Sequence, residues 1–516
     1  IMNDEVKNEE QEDIVHTIPL KRHLWPEEVE LNKAKKKLKR ARILGVILCV
    51  FALGIGWFGG SILPFGWSYS IRSSLLSLAG VSKNDKISAV EEIMDTSWYF
   101  GKDIEDLDDR LIDQAIIGMT SNTEDKHTEY MSEKETEAFK QSINRNYVGI
   151  GAQFIMYNGF PIITKVFPHS PAENAGLQAG DILEKVNEES VEGLSSSEVK
   201  DKIQGDEGTQ VGLTLKRNDE DVTLTAVRGT FSATTFAKML DDSTLYLQLA
   251  QFGESTAEDI KEDLDGLLEG KDKVSMILDL RGNGGGYLTS VKAVASYFLD
   301  NDQTVLIQEF KDGSEVKITT TPNQKYSQIH TIVILVNENT ASAAEVMTLA
   351  LKQNRDDVTV IGTTTYGKGT VQTTTSFKDG SSLKYTTSRW LSPEKDWINE
   401  TGITPDEEVQ LHEAISMTYP EMKEGDSYDV DEVSDVIKAV QVILDYFGYA
   451  VDRQDGYFSV ATQQAWMQFK EDHGLSGGSK ITRNDYMNAV SEVMYDWATS
   501  TNHDTQLARA LEVVHG

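Results

Sequence analysis

The feature that most constrains this chain is an uncharged run of 21 residues, Ile43–Leu63, reading ILGVILCVFALGIGWFGGSIL. At about 1.5 Å per residue, a helix of that length crosses about 30 Å, the thickness of a hydrocarbon core. Ahead of it, Lys33–Arg42 carries seven basic residues: Lys33, Lys35, Lys36, Lys37, Lys39, Arg40 and Arg42. Basic flanks stay on the cytoplasmic side. The expectation is therefore a single transmembrane helix over 43–63, a cytoplasmic tail over 1–42, and everything after Leu63 outside the cell. Trp57 and Trp67 suit the outer interface. A cleaved signal peptide is the rival reading; the 42 preceding residues and the length of the run favour the anchor. The one cysteine, Cys49, lies inside the run, which excludes an intramolecular disulfide and paired-cysteine metal motifs.

A chain of 516 residues is too long for one core, and at about 100–200 residues per domain it divides into three or four. Asp+Glu number 83 against 49 Lys+Arg, a formal charge of −34. Residues 1–42 hold ten bases and nine acids, so the acidic excess belongs to 43–516. An acidic surface cannot displace the counterions of a polyanion, which argues against nucleic acid as a partner.

Over 84–145, Ile87, Val90, Ile93 and Met94, then Leu107, Leu111, Ala115 and Ile116, recur at helical spacing and predict a helical segment. Asp125-Lys126-His127-Thr128 interrupts it, and Ser132 ahead of Glu135 restarts it as a capping box. Residues 146–230 change texture. Gln153–Met156 and Pro161–Val166 read as strands about an Asn158-Gly159 turn. A short helix in Ser170–Leu177, a strand at Ile182–Val186, a helix at Ser195–Lys202 and a hairpin of Val211–Arg217 with Asp221–Val227 follow. This order resembles a PDZ domain of the bacterial, circularly permuted type. The resemblance implies that Gly149, Ile150 and Gly151 present backbone N–H groups to a peptide's terminal carboxylate while the peptide adds as an extra strand. Taken alone, Gly149-Ile150-Gly151 is equally a tight turn.

Residues 232–410 alternate apolar strands (Leu245–Leu249, Val274–Leu280, Ile332–Val336, Val358–Ile361) with helices (Thr256–Leu268, Tyr287–Phe298, Ala341–Gln353). A hairpin of Thr370–Phe377 and Ser382–Arg389 ends the series. The pattern predicts an α/β domain with a largely parallel sheet and a site beyond the C-terminal ends of its strands. Residues 411–431, acidic and poor in apolar side chains, read as a linker, and 432–516 as a small helical domain.

Three segments of the α/β region carry chemistry. Leu278–Tyr287 (LDLRGNGGGY) is a glycine-rich loop leaving a buried strand for a helix, with amides able to hold an anion or oxyanion. Val336–Glu345 (VNENTASAAE) also passes from strand to helix, with Ser342 among small residues; it is either a nucleophile on a tight turn or a helix cap. Gly362–Gln372 (GTTTYGKGTVQ) suggests a phosphate loop but fails as one, because Gly369 stands where a hydroxyl must ligate magnesium and a strand follows. Lys368 is then either an exposed turn residue or a buried amine whose lowered pKa suits a general base. A Ser-His-Asp triad lacks its histidine: the only one in 232–410 is His330, which precedes the strand that Ser342 follows. His127 and His412 lie outside this region, so a Ser-Lys dyad is the economical arrangement.

These segments resemble the C-terminal processing peptidase, or tail-specific protease, family, over about residues 84–410. The resemblance implies a PDZ-coupled serine endopeptidase with Ser342 as nucleophile, Lys368 as general base and Gln372 orienting the lysine. It implies the amides of Gly285 and Ala343 as oxyanion donors. The family's Ser-Ala-Ser-Ala-Ser-Glu block reads Thr340-Ala341-Ser342-Ala343-Ala344-Glu345 here, and Lys395 stands where a glycine is common. Gly402-Ile403-Thr404-Pro405-Asp406 matches well. Residues 434–475, with an Asp455-Gly456 turn between two amphipathic helices, resemble a three-helix peptidoglycan-binding module, although Ser459 follows Phe458 where a glycine is common.

Together these readings predict a membrane-anchored endopeptidase facing the wall of a Gram-positive bacterium. Its partners would be protein substrates held by their C-terminal tails, peptidoglycan, and a second copy through the 84–145 helices. No metal or organic cofactor is implied. A catalytically silent PDZ and wall-binding scaffold, and a hydrolase of peptidoglycan stem peptides, are the alternatives.

Overall fold

The computed structural model describes residues 83–121, 124–475 and 477–516, so the expected membrane span at 43–63 lies outside the described residues. Among the described residues no helix is long and apolar enough to cross a membrane. The chain divides into two compact units, Ile1–Ile112 and Asp113–Gly516. In the first, the helical periodicity produces α1 (Lys83–Ser97) and opens α2 (Leu107–Thr120).

The second unit begins with a short strand that the sequence did not suggest, β1 (Glu129–Met131), and α3 (Glu133–Asn144). The expected capping box is present: Ser132 N–H donates to Glu135 Oε2 at 2.9 Å and Glu135 N–H to Ser132 Oγ at 3.4 Å. Next come β2 (Asn146–Gly149), β3 (Ala152–Tyr157), β4 (Phe160–Val166), β5 (Ile182–Val186), α4 (Ser196–Ile203), β6 (Gln210–Arg217) and β7 (Glu220–Val227). Strands β3-β4-β5-β6-β7 form one antiparallel sheet in that order, which leaves β3 at an edge. Ile163, Leu183, Val199, Val211, Leu213 and Leu215 fill its core, and Ala152, Phe154 and Met156 of β3 face that core. The alternation of the strand therefore turns Gln153, Ile155 and Tyr157 to the opposite face.

The α/β domain follows as β8 (Thr235–Met239), β9 (Thr244–Leu249), α5 (Thr256–Leu267), β10 (Val274–Asp279), α6 (Leu288–Ala295), β11 (Thr304–Phe310), β12 (Glu315–Thr319), β13 (Ile329–Val336), α7 (Ala343–Asn354), β14 (Val358–Gly362), β15 (Thr370–Ser376), β16 (Ser382–Leu391) and β17 (Glu407–Glu408). The six-stranded sheet β8-β9-β10-β13-β14-β17 is parallel except for β8. A second, antiparallel sheet runs β1-β16-β11-β12, with β15 also on β16. The β11–β12 hairpin was not legible in the sequence.

The main sheet is apolar on both faces, as its near-continuous hydrophobic strands require. On one face Met276, Leu278, Ile332, Ile334 and Val336 pack with the buried sides of α5, α6 and α7. On the other, Ile277, Val333, Leu335 and Ile361 meet Leu507 and Ala510. Those two residues belong to the last helix of the chain, α11 (Thr505–His515); before it come α8 (Asp435–Tyr446), α9 (Val460–Asp472) and α10 (Arg483–Thr499).

This changes two expected boundaries. Only α8, α9 and α10 build the three-helix core around Val440, Trp466, Phe469 and Tyr486, while α11 covers the six-stranded sheet of the α/β domain. Residues 411–431 are not a linker: Ala414 and Met422 are buried in the three-helix core, and Tyr486 Oη donates to Pro420 O at 3.0 Å. Their few apolar side chains are enough to dock the segment despite its acidic composition.

Candidate active site

Three adjacent parallel strands deliver the three chemistry-bearing segments to one edge. The register pairs Asp279 with Leu335 and Val336 with Gly362, so β10, β13 and β14 end at one level. The loops that leave them are tied together. Ala341 N–H donates to Asn283 O at 2.9 Å, Tyr366 N–H to Thr340 O at 3.0 Å, and Thr340 Oγ1 to Leu280 O at 2.8 Å. His330 lies at the opposite end of β13 and is exposed, as expected.

Ser342 is the first residue before α7 and has φ 55° and ψ −115°. A residue other than glycine held at positive φ stores roughly 1–3 kcal/mol of strain, because its Cβ crowds the neighbouring backbone. Gly285 makes this turn feasible: a Cβ there would stand 2.9 Å from Ser342 Cβ.

Glu345 ties the Ser342 turn to the Lys368 loop. Its side chain is completely buried. One carboxylate oxygen, Oε2, accepts from the Ser342 amide at 2.7 Å and the Lys368 amide at 2.9 Å. The other, Oε1, accepts from Thr365 Oγ1 at 2.6 Å and the Gly367 amide at 2.7 Å. Four donors converge on one carboxylate, so its desolvation is offset by hydrogen bonds. The backbones of Ser342 and Lys368 are thereby neighbours, joined through a single oxygen.

The lysine loop is pinned from outside as well. Trp390 Nε1 donates to Lys368 O at 2.7 Å and Trp397 Nε1 to Gly369 O at 3.0 Å. Gly367 has φ 83°, and a Cβ there would fall 2.6 Å from Gly402 N. Burial lowers the pKa of the Lys368 ammonium below its ordinary 10.5, and the charge of Lys384 acts in the same direction. Glu345, Asp125 and Glu129 oppose them more weakly. Among the described residues, no hydrogen bond joins Ser342 Oγ to Lys368 Nζ.

The remaining expected residues are placed differently. Gln372 Nε2 donates to Thr370 Oγ1 at 2.9 Å and Thr386 Oγ1 at 3.1 Å, not to Lys368. The Gly285 amide, expected as an oxyanion donor, donates to Asn283 Oδ1 at 2.8 Å. The Ala343 amide opens α7 with no acceptor among the described residues, as first-turn N–H groups do. Ile150 and Gly151 form the loop between β2 and β3, whereas Gly149, expected in that loop, is the last residue of β2 and pairs with Gly229; nothing among the described residues accepts from the amides of Ile150 and Gly151.

Two features escaped sequence reading. One is the role of Glu345, whose signal was its place three residues after Ser342, a capping-box spacing. The other is Asp125–Thr128, read only as a helix break. Thr386 Oγ1 donates to Asp125 Oδ1 at 3.2 Å and Thr386 N–H to Thr128 Oγ1 at 3.2 Å, which brings the segment beside Lys368. Burial lowers the His127 pKa, followed by the charges of Lys368 and Lys126.

A strained serine on a strand-to-helix turn, coupled to a buried lysine loop and accompanied by a peptide-binding domain, defines a PDZ-bearing serine peptidase. Residues 243–409 match peptidase family S41 and residues 162–217 the PDZ domain family. The chain is similar to the carboxy-terminal processing protease CtpA of Bacillus subtilis, 31% identical over 447 residues, which cover 86% of this chain and 93% of that protein. It is 34% identical over 375 residues to a probable CtpA-like serine protease of Staphylococcus haemolyticus, covering 72% and 75% of the two chains. A photosystem II D1 C-terminal processing protease structure aligns at 23% identity with a TM-score of 0.36, over 63% of this chain and 91% of that one. The chain belongs to the C-terminal processing peptidase family and is a serine endopeptidase.

Proposed function

We propose that this endopeptidase captures protein C-terminal tails in its PDZ groove and cleaves them with a Ser342–Lys368 dyad. The observation that supports the dyad is the shared oxygen of Glu345, which holds the nucleophile's turn and the base's loop together. Neutral Lys368 takes the proton of Ser342 Oγ as Oγ bonds to the scissile carbonyl carbon. The carbon–nitrogen bond then breaks, and the proton passes from Nζ to the departing amine. Water, deprotonated by the same lysine, releases the acyl group. The Ala343 amide holds the oxyanion, joined by that of Gly285 once Asn283 Oδ1 lets it go. Gln372 reaches the lysine only by leaving Thr370 and Thr386.

The test is cleavage of a tail-bearing protein. Ser342→Ala abolishes it, and Lys368→Ala lowers kcat/KM by about 10²-fold or more. Retained activity in either variant defeats the dyad.

The uncharged run at 43–63 and its basic flank support a single-pass anchor with the catalytic part outside the cell, in a Gram-positive envelope. Resistance to alkaline extraction from membranes tests this. Resemblance alone supports peptidoglycan as a partner of the three-helix module. Its Phe458, Trp466 and Phe469 are buried, so contact would fall to the half-buried Tyr457 at the turn; co-sedimentation of the full chain with purified walls decides. Exposed Ile87, Val90 and Ile93 on α1 suit a second copy, which sedimentation velocity would detect.

A further inference from the structure

A cavity of about 1160 Å³ lies away from Ser342 and Lys368, against the edge strand β3. The PDZ loop at Gly149–Gly151 opens into it, as do Lys165, Phe236 and Gln248. Residues 497–501, at the end of α10 and just beyond, form part of its wall. For a chain this acidic, its lining is unusually basic. Its two carboxylates, Asp279 and Asp504, are both held by Arg281 Nη2, at 2.7 and 2.9 Å. Arg145, Lys165, Lys200 and Lys238 also line it. Among the described residues none of these four has a carboxylate within ion-pairing distance.

Lys165 is the deepest of the four. It pairs across the strands with Gln153, on the β3–β4 face turned away from the PDZ core. Its Nζ donates to Gln248 Oε1 and lies 4.7 Å from the centre of the Phe236 ring. Its contacts are therefore neutral. Burial holds its ammonium down to about 8; the more distant charge of Asp279 opposes this only in part, and that of Lys238 adds to it.

The subsite described next rests on tail capture by the PDZ domain. A peptide that ends at the free Ile150 and Gly151 amides and pairs with β3 runs antiparallel to that strand. Its terminal side chain falls on the α4 side, where Ile150 and Ile203 are apolar. Side chains alternate along a strand, so the penultimate one falls on the opposite face, with Gln153 and Lys165. We propose that Lys165 forms a subsite for an acidic side chain at the penultimate position of the bound tail. A carboxylate there would gain a charge-assisted hydrogen bond from a cation that, among the described residues, has no carboxylate within ion-pairing distance.

The test uses the full chain carrying Ser342→Ala and three labelled peptides identical except at their ends, which read Glu-Val, Ala-Val and Lys-Val. Fluorescence anisotropy should rank Glu above Ala above Lys, with about tenfold between the first two. Lys165→Met should abolish the ranking, and Lys165→Glu should invert it. Equal binding of the three peptides to the parent overturns the acidic subsite and leaves tail capture standing, a result that needs no Lys165 variant. A ranking that survives Lys165→Met also overturns the assignment to this lysine. If none of the three peptides binds, tail capture itself fails and the subsite with it.

Discussion

The catalytic edge and the tail groove meet polar demands in opposite ways. At the edge, a buried carboxylate is saturated by four donors, the loops are tied to one another, and the lysine is flanked by glycines that allow close approach. In the groove, the amides of Ile150 and Gly151 have no acceptor among the described residues, and the Lys165 ammonium has only a neutral one, Gln248 Oε1. The loops that carry Ser342 and Lys368 are held in place before substrate arrives, which spares reorganisation of their backbones during the reaction, although the Gly285 amide and Gln372 still exchange partners. A capture site gains its affinity from groups left unsatisfied until the ligand comes.

The largest effect that could break this contrast is expected at Glu345. Glu345→Ala leaves four buried donors without an acceptor, so thermal unfolding should show a loss of about 3 kcal/mol or more. The same variant should lower kcat/KM by about 10²-fold, because Ser342 and Lys368 lose their common tie. Normal stability and activity in this variant would mean that the edge is not preorganised through the carboxylate.

A smaller effect concerns pH. The dyad needs Lys368 neutral, so kcat/KM should rise with pH, its midpoint below that of an ordinary lysine. Lys384 disfavours the Lys368 cation, so Lys384→Met should move that rising limb to higher pH and reduce activity at neutrality. A limb that stays in place, or moves down, would separate the two lysines electrically.

The smallest effect lies at the far end of the groove. Tyr157 of β3 stacks on Tyr495 of α10 with ring centres 4.1 Å apart, closing the edge strand beyond the reach of a tail. Tyr495→Ala should cost about 1 kcal/mol of stability and leave the hydrolysis of a short, tail-less peptide unchanged. A change in kcat for that peptide would show that groove and edge are not independent.

Much of the catalytic edge was legible because its signals are local. A glycine run after one apolar strand, a serine among small residues after the next and a lysine between glycines after a third each announce a loop that something approaches closely. What was not legible depends on distant pairing. Asp125 and Thr128 look like a helix break until β16 brings Thr386 to them. Residues 411–431 look like a linker because composition averages over a segment, whereas docking rests on particular side chains: Ala414 and Met422 are buried in the three-helix core, and Ile415, Met417, Tyr419 and Tyr428 pack against it. The hydrogen bonds of Gly285 and Gln372 depend on the rotamers of Asn283 and the Thr370–Thr386 pair, which no spacing encodes.

The amino-acid order determined the parallel strands, the loops at their ends, the helix caps and the residue types available for acyl transfer, since each follows from periodicity or from a neighbour a few positions away. Only the tertiary structure decided that Glu345 receives the amides of both Ser342 and Lys368, that the final helix seals the second face of the six-stranded sheet, and that Lys165 stands in the cavity beside β3 with no carboxylate within ion-pairing distance among the described residues. Those relations are set by packing between segments tens to hundreds of residues apart, where burial and charge depend on what the rest of the chain places nearby.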